Sequence, residues 1–168
     1  MWSKFKKSQF RIPNMDYRQE GAYFITICTK KRFHFFGEIK NRHLTMSPIG
    51  EIAKACWLEI EAHFPNVHLR EFIVMPDHMH GVIVIDKSVI RNENDLLLKE
   101  NRFQNIGSQS ISSIVGSYKS AVSRKSRLIN PAFGWQSRFH DRVVRSSTEL
   151  ARIENYISKN VENYNKKR

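Results

Sequence analysis

The order of apolar and polar positions divides the chain into strand-like and helix-like stretches. Gly21-Ala22-Tyr23-Phe24-Ile25-Thr26-Ile27-Cys28-Thr29 is rich in aromatic and β-branched residues and predicts a strand. Residues 33–36, ending at Gly37, read as the return strand of a hairpin. Ser47-Pro48 opens a helix: the serine can cap, the proline suits the first turn, and Glu51 completes a capping box. Ile49, Ile52, Ala53, Cys56, Trp57 and Ile60 follow at helical spacing, with Pro65 just past the end. Residues 68–75 and 79–85 predict two strands separated by Pro76-Asp77. A second helix is expected from about 110 to 128 on the stripe Ile111, Ile114, Val115, Tyr118 and Val122, stopping before Asn130-Pro131. Residues 135–139 predict a short strand. Ser146 with Glu149 makes a second capping box, opening a last helix whose stripe is Leu150, Ile153, Ile157 and Val161. Residues 1–19 are basic and polar and predict an arm, while 86–110 are polar, weakly patterned and predict a mobile loop. With no internal repeat, this order predicts one α+β domain over 1–168. Its expected architecture is a ferredoxin-like antiparallel sheet with helices on one side and an added C-terminal helix carrying Tyr156.

Composition narrows the class. A chain of 168 residues suits one domain with a real core, and 40% hydrophobic with 11% aromatic residues argues against disorder. Apolar runs such as Val82 to Ile85 are far shorter than the ~20 residues that span a bilayer. The basic N-terminus lacks an apolar signal core, so a cytoplasmic protein with no membrane partner is expected. Cys28 and Cys56 lie in apolar segments without CxxC spacing and read as reduced core thiols. The formal charge is +12, from 28 Lys+Arg against 16 Asp+Glu. It is unevenly placed: residues 1–42 carry +7, 43–114 carry −3 and 115–168 carry +8. Two basic ends around a slightly acidic middle point to a polyanionic partner, nucleic acid ahead of an anionic membrane.

Two constellations could do chemistry. His78 and His80 are two apart on a predicted strand, so both imidazoles project from one face and can share a divalent cation. Gly81 follows, where a missing side chain allows close backbone or ligand approach. An H-x-H pair alone more often marks hydrogen-bonded structural histidines. Tyr156 and Asn160 are four apart on the last helix, one turn above each other beside the apolar stripe. Such a tyrosine is usually a core-edge aromatic, and a phenol with a pKa near ~10 is a poor nucleophile unless a base or metal assists. Together the pairs are sharper. A cation on His78 and His80 can polarise a phosphodiester that Tyr156 attacks, with the Asn160 amide oxygen reaching the same ion.

The chain resembles the small single-tyrosine HUH transposases, and closely the REP-associated tyrosine transposase branch. The likeness runs through Tyr17-Arg18, Gly21 to Thr29, Arg32 and Phe36-Gly37, then Val74-Met75-Pro76-Asp77-His78-Met79-His80-Gly81. It continues through Ile114-Val115, Tyr118-Lys119-Ser120, Trp135-Gln136, Phe139 and Asp141 to Arg145, and ends with Glu149-Leu150, Ile153, Tyr156-Ile157 and Asn160. The resemblance implies that His78 and His80 are the metal-binding pair, that Tyr156 is the nucleophile and that Asn160 helps hold the metal. It further implies Mg²⁺ or Mn²⁺ as cofactor, single-stranded or hairpin DNA as partner, and a monomer or homodimer. The chain departs from the family where Val161 follows Asn160 and where Phe139-His140-Asp141-Arg142 follows Trp135-Gln136. Lys119, Arg124, Lys125, Arg127, Arg138, Arg142 and Arg145 are the candidates for DNA-backbone contacts, and Phe139 or Trp135 for stacking on bases. Tyr118, read as core, and Tyr164, near the terminus, are decoy tyrosines. The rival readings are a histidine-dependent phosphoesterase, a non-catalytic nucleic-acid-binding module, and a metal-free fold with satisfied core histidines.

Overall fold

The computed structural model describes residues 20–86 and 110–164. The predicted arm over 1–19, and the predicted loop over 86–110 apart from its ends Asp86 and Ser110, lie outside the described residues. The elements follow as β1 (Gly21–Cys28), β2 (Gly37–Lys40), β3 (His43–Met46), α1 (Pro48–Leu58) and the short α2 (Ile60–His63). After them come β4 (Val67–Met75), β5 (His78–Ile85), α3 (Ile111–Ser126), β6 (His140–Val144) and α4 (Ser147–Ser158). The main sheet has the order β4-β5-β1-β6 with every neighbour antiparallel. With α1 between β1 and β4 and α3 between β5 and β6, this is the split βαβ repeat of a ferredoxin-like α+β fold. A separate hairpin pairs β2 with β3.

Side-chain alternation gives the sheet two different faces. Tyr23, Ile25 and Ile27 of β1 and Met79 and Ile83 of β5 join Trp57 of α1 and Ile111, Ile114, Tyr118 and Val122 of α3 in the core. The intervening residues Phe24, Thr26, His78 and His80 face the other way, toward α4. Gly81 belongs to the core face. A Cβ there would run into the indole of Trp57, so the glycine makes room for tryptophan and not for a ligand.

The serine caps predicted at Ser47 and Ser146 form, and Ser110 caps α3 as well. The Glu51 half of the first capping box does not form, because the Ser47 N–H donates to the Phe36 carbonyl at 2.9 Å. Ser47 Oγ accepts from the Gly50 N–H at 3.1 Å, and Ser110 Oγ from Ser113 at 3.2 Å. Ser146 Oγ accepts from the Glu149 N–H at 3.1 Å, while the Glu149 carboxylate reaches back to the Arg145 N–H at 2.9 Å. α4 ends at Ser158, so Asn160 and Val161 lie in the turns beyond it.

Two predicted strands are corrected. Residues 33–36 are not a return strand. Phe36 is fully buried against Phe133 and Trp135, and its N–H donates to the Pro76 carbonyl at 3.0 Å. The hairpin lies one step further on, in β2 and β3, around Asn41 and Arg42 at φ 50° and 62°. Positive φ at both central residues is what a twist-matched two-residue turn requires. Residues 135–139 contribute a single bridge from Trp135 to Thr29, and the strand starts at His140.

Replacing Gly81 by alanine forces a Cβ into the fully buried Trp57 ring. We expect Gly81→Ala to lose about 1–3 kcal/mol, the usual cost of overpacking. Urea unfolding at unchanged m-value measures it, and a midpoint equal to wild type contradicts the packing argument.

Candidate metal and nucleophile site

The site is assembled on the α4 side of the two central strands. His78 and His80 are 8% and 5% exposed, and their Nε2 atoms approach to 3.2 Å. The other ring nitrogens are held. His78 Nδ1 lies 2.6 Å from Asp77 Oδ1, and His80 Nδ1 lies 2.8 Å from Thr26 Oγ1. An ionised carboxylate can only accept, so His78 carries a proton on Nδ1, and whenever the ring is neutral its lone pair stands at Nε2. The Thr26 hydroxyl can donate or accept, so it serves His80 in either tautomer. Thr26 faces His80 because the β1–β5 register pairs them directly.

Asp77 is fixed from its other side. Arg32 Nε donates to Asp77 Oδ2 at 2.9 Å, and Arg32 Nη1 to Cys28 Sγ at 2.9 Å. Burial works to raise the Asp77 pKa. The His78 hydrogen bond, the His78 charge and the Arg32 guanidinium together outweigh it, and the carboxyl sits below its ordinary value. A carboxylate behind a ligating histidine orients the ring and raises its basicity.

Tyr156, in the last turn of α4, brings its hydroxyl to 3.4 Å from His80 Nε2. Phe24 stacks on His80 with ring centroids 5.4 Å apart and meets Tyr156 edge-on at 6.4 Å, filling the floor between them. Burial raises the Tyr156 pKa, while Asn160 and the Arg32 charge work to lower it. Asn160 is 5% exposed, and its amide nitrogen has no well-formed hydrogen bond among the described residues. Asn160 thus comes into the site although it stands beyond the helix end. The decoy tyrosines separate on geometry. Tyr118 is buried, donates to the Ala53 carbonyl at 3.2 Å, and has its pKa pushed far up by burial. Tyr164 lies 3.4 Å from His34 Nε2.

Among the described residues no three His, Cys, Asp or Glu side chains converge as a metal cluster. The donor set still suits a shared cation with open positions. An octahedron with bonds of about 2.1 Å places adjacent ligands about 3.0 Å apart, close to the 3.2 Å between the two Nε2 atoms. Two imidazoles and an amide oxygen would leave the remaining positions to water and substrate oxygens.

The seven candidate DNA contacts are dispersed. α3 packs on the core face, so Lys119, Arg124, Lys125 and Arg127 lie behind the sheet relative to the histidines. The Lys119 ammonium donates to the Gln136 and Ser137 carbonyls at 2.7 and 3.3 Å, and burial lowers its pKa. Lys125 pairs with Glu59 at 3.5 Å, and Arg127 Nε donates to the Phe133 carbonyl at 3.2 Å. Arg124, Arg138 and Arg145 are exposed. Arg142 stands on the site face, on β6 opposite Phe24, where it pairs with Glu149. Trp135 packs on Phe36, Tyr118 and Phe133, and Phe139 against the core edge.

Thr26 and Arg32 are the residues that sequence spacing missed. A depressed Asp77 pKa stabilises the fold above the ordinary carboxylate range, and that stability is lost as pH falls through the lowered value. Wild-type thermal stability should therefore rise more steeply than that of Asp77→Asn between pH 3 and pH 5, on either side of the ordinary carboxylate value of about 3.9. Parallel Tm–pH curves for the two proteins contradict this.

No family model matches the chain. The fold is similar to that of a REP-associated tyrosine transposase solved bound to a REP hairpin. The match has a TM-score of 0.62 at 16% identity and covers 94% of this chain and 74% of that one. In sequence, the chain is 35% identical over 157 residues to an uncharacterized protein of Haemophilus influenzae, covering 92% of this chain and 87% of the relative. At that identity and coverage, the chain belongs to the same protein family as the Haemophilus influenzae protein.

Proposed function

We propose that the protein is a metal-dependent DNA strand transferase, a single-tyrosine transposase that cleaves and rejoins hairpin-containing single-stranded DNA. The observation that carries the reading is the meeting of three groups at one point. His78 Nε2 and His80 Nε2 lie 3.2 Å apart, and the Tyr156 hydroxyl is 3.4 Å from the latter. The likeness in fold to a transposase bound to a REP hairpin supports hairpin DNA as the substrate class. So does a formal charge of +12.

His78, His80 and Asn160 would hold the cation. Imidazole with oxygen donors favours Mn²⁺ over Mg²⁺ among the hard divalent ions. When bound, the ion supplies Lewis-acid polarisation of a non-bridging phosphate oxygen. Asp77 and Thr26 keep the two rings aimed, and Arg32 keeps Asp77 in place. The Tyr156 oxygen attacks phosphorus and the bond from phosphorus to the 3′ oxygen breaks. The tyrosine is left joined to the 5′ phosphate, and the proton lost by the phenol is balanced by the one gained at the 3′ hydroxyl. Attack by a 3′ hydroxyl reverses the sequence and restores the phenol. One phosphodiester replaces another throughout, so the reaction needs no nucleotide hydrolysis.

The test is incubation with a short hairpin-bearing single-stranded oligonucleotide and Mn²⁺, followed by denaturing electrophoresis. We expect a covalent adduct with wild type and Tyr118→Phe, none with Tyr156→Phe, and loss of adduct with weakened Mn²⁺ binding in His78→Ala. An adduct that persists in Tyr156→Phe sinks the assignment. Metal-independent DNA binding without any adduct favours a binding module instead, and nucleotide turnover that survives Tyr156→Phe favours a phosphoesterase.

A further inference from the structure

The turn that follows β1 places an unusual set of side chains beside the site. Lys30, Lys31, Arg32, Phe33 and His34 are all exposed, and Phe33 is 53% exposed although it is a large aromatic. Isolated exposed apolar residues are ordinary. This one is flanked by three consecutive cations and a histidine, and it is braced from behind. Its ring stands edge-on to Phe35 at 5.9 Å, and Phe35 stands in turn on Phe133 at 5.2 Å. Lys31 (φ 52°, ψ 20°) and Arg32 (φ 60°) adopt the left-handed conformation that glycine takes without strain. Both positions nonetheless carry long cationic side chains.

The segment is also fastened to the catalytic turn. The Thr29 N–H and Oγ1 both donate to the Asp77 carbonyl, at 3.0 and 2.9 Å. Thr29 Oγ1 also lies 2.7 Å from the Phe33 carbonyl, and the Phe36 N–H donates to the Pro76 carbonyl at 3.0 Å. Arg32 closes the set through its ion pair with Asp77. The exposed aromatic and its cations are thus held in fixed relation to Asp77 and His78.

The geometry points to residues 30–34 as a single-strand clamp. Phe33 stacks on an unpaired base flanking the scissile phosphate, and Lys30 and Lys31 contact the adjoining backbone. This assignment rests on the strand-transferase reading and specifies which part of the substrate the loop takes. Aromatic stacking combined with neighbouring cations is how proteins hold unpaired nucleotides, since each base offers a π face and each nucleotide a phosphate. Bases inside a duplex stem are stacked on one another and offer no free face. The clamp therefore reads the single-stranded flank and not the hairpin itself.

Fluorescence anisotropy with the full chain can separate these parts, using a labelled hairpin with a single-stranded flank and the same hairpin with a blunt end. We expect Phe33→Ala to weaken binding of the flanked oligonucleotide about five- to hundredfold and to leave the blunt hairpin unchanged. Phe33→Trp should restore binding, whereas Phe33→Leu, with bulk but no π face, should not. Lys30→Gln/Lys31→Gln should reduce the slope of log K against log salt by about 0.7 for each lost phosphate contact on a single strand. Phe33→Ala that binds the flanked oligonucleotide like wild type overturns the clamp, as does an equal loss for both oligonucleotides. Failure here and failure of the strand-transferase reading look different. Normal adduct formation with Phe33-independent binding rejects the clamp alone. Phe33-dependent binding without any adduct keeps a single-strand site and rejects strand transfer.

Discussion

Strand β5 has to satisfy two faces with one run of residues, and that constraint organises the molecule. Met79, Gly81 and Ile83 pack into the core while His78 and His80 point to the opposite face. Period-two alternation makes the two sets inseparable: a slip of one residue would bury the imidazoles in the core and expose the core residues. Trp57 enforces the register, because it occupies the space a side chain at position 81 would need. β1 supplies the matching half. Its core residues Tyr23, Ile25 and Ile27 alternate with Phe24 and Thr26, which stack on and hydrogen-bond to His80. The two candidate histidine ligands thus sit on one central strand and are braced from the other, held by packing that has nothing to do with the ligand itself.

Legibility in the sequence follows the same physics. β1, β4, β5, α1, α3 and α4 each carry a strong period or a cap, and each lies close to where the pattern places it. The aromatic runs at 33–36 and 135–139 mislead because their rings pack individually, around Phe133 and Trp135, instead of alternating along a strand. β2 and β3 escape notice because their turn is Asn41-Arg42, without the glycine that marks most two-residue hairpins. β6 is an edge strand beginning His140-Asp141-Arg142, too polar to read as sheet. In the site, His78 and His80 are legible because strand alternation places them on one face, and Tyr156 because it lies on the last helix. Asn160 reaches the site from the turn beyond that helix, where helical spacing no longer applies. Thr26 and Arg32 are not legible, because one depends on strand register and the other on a left-handed turn.

The distribution of charge takes on a different meaning once the fold is known. The cations of α3 and its C-terminal end lie on the far side of the sheet from the histidines, and two of them serve the fold. Lys119 ties down the segment after Trp135, and Arg127 holds the Phe133 carbonyl. Among the described residues, cations on the α4 side of the sheet include Arg32, which fixes Asp77, Arg142 on β6 and Arg70, which pairs with Glu154 of α4. A net charge of +12 is therefore a general attraction for a polyanion, whereas the local field at the site depends on few residues.

The position of the candidate nucleophile on its helix adds a last constraint. Tyr156 occupies the final turn of the twelve-residue α4, where the aligned peptide dipoles present their negative end. A phenolate is disfavoured there, and burial disfavours it further. A cation is favoured by the same dipole. On the proposed reading, the tyrosine stays a protonated, inert phenol in the resting protein, with Asn160 and the half-exposed Arg32 working the other way. Charge develops on its oxygen when cation and phosphodiester are in place together, as differential stabilisation of a transition state requires. The helix end that makes Tyr156 a poor nucleophile in isolation would thereby couple its reactivity to the occupied site.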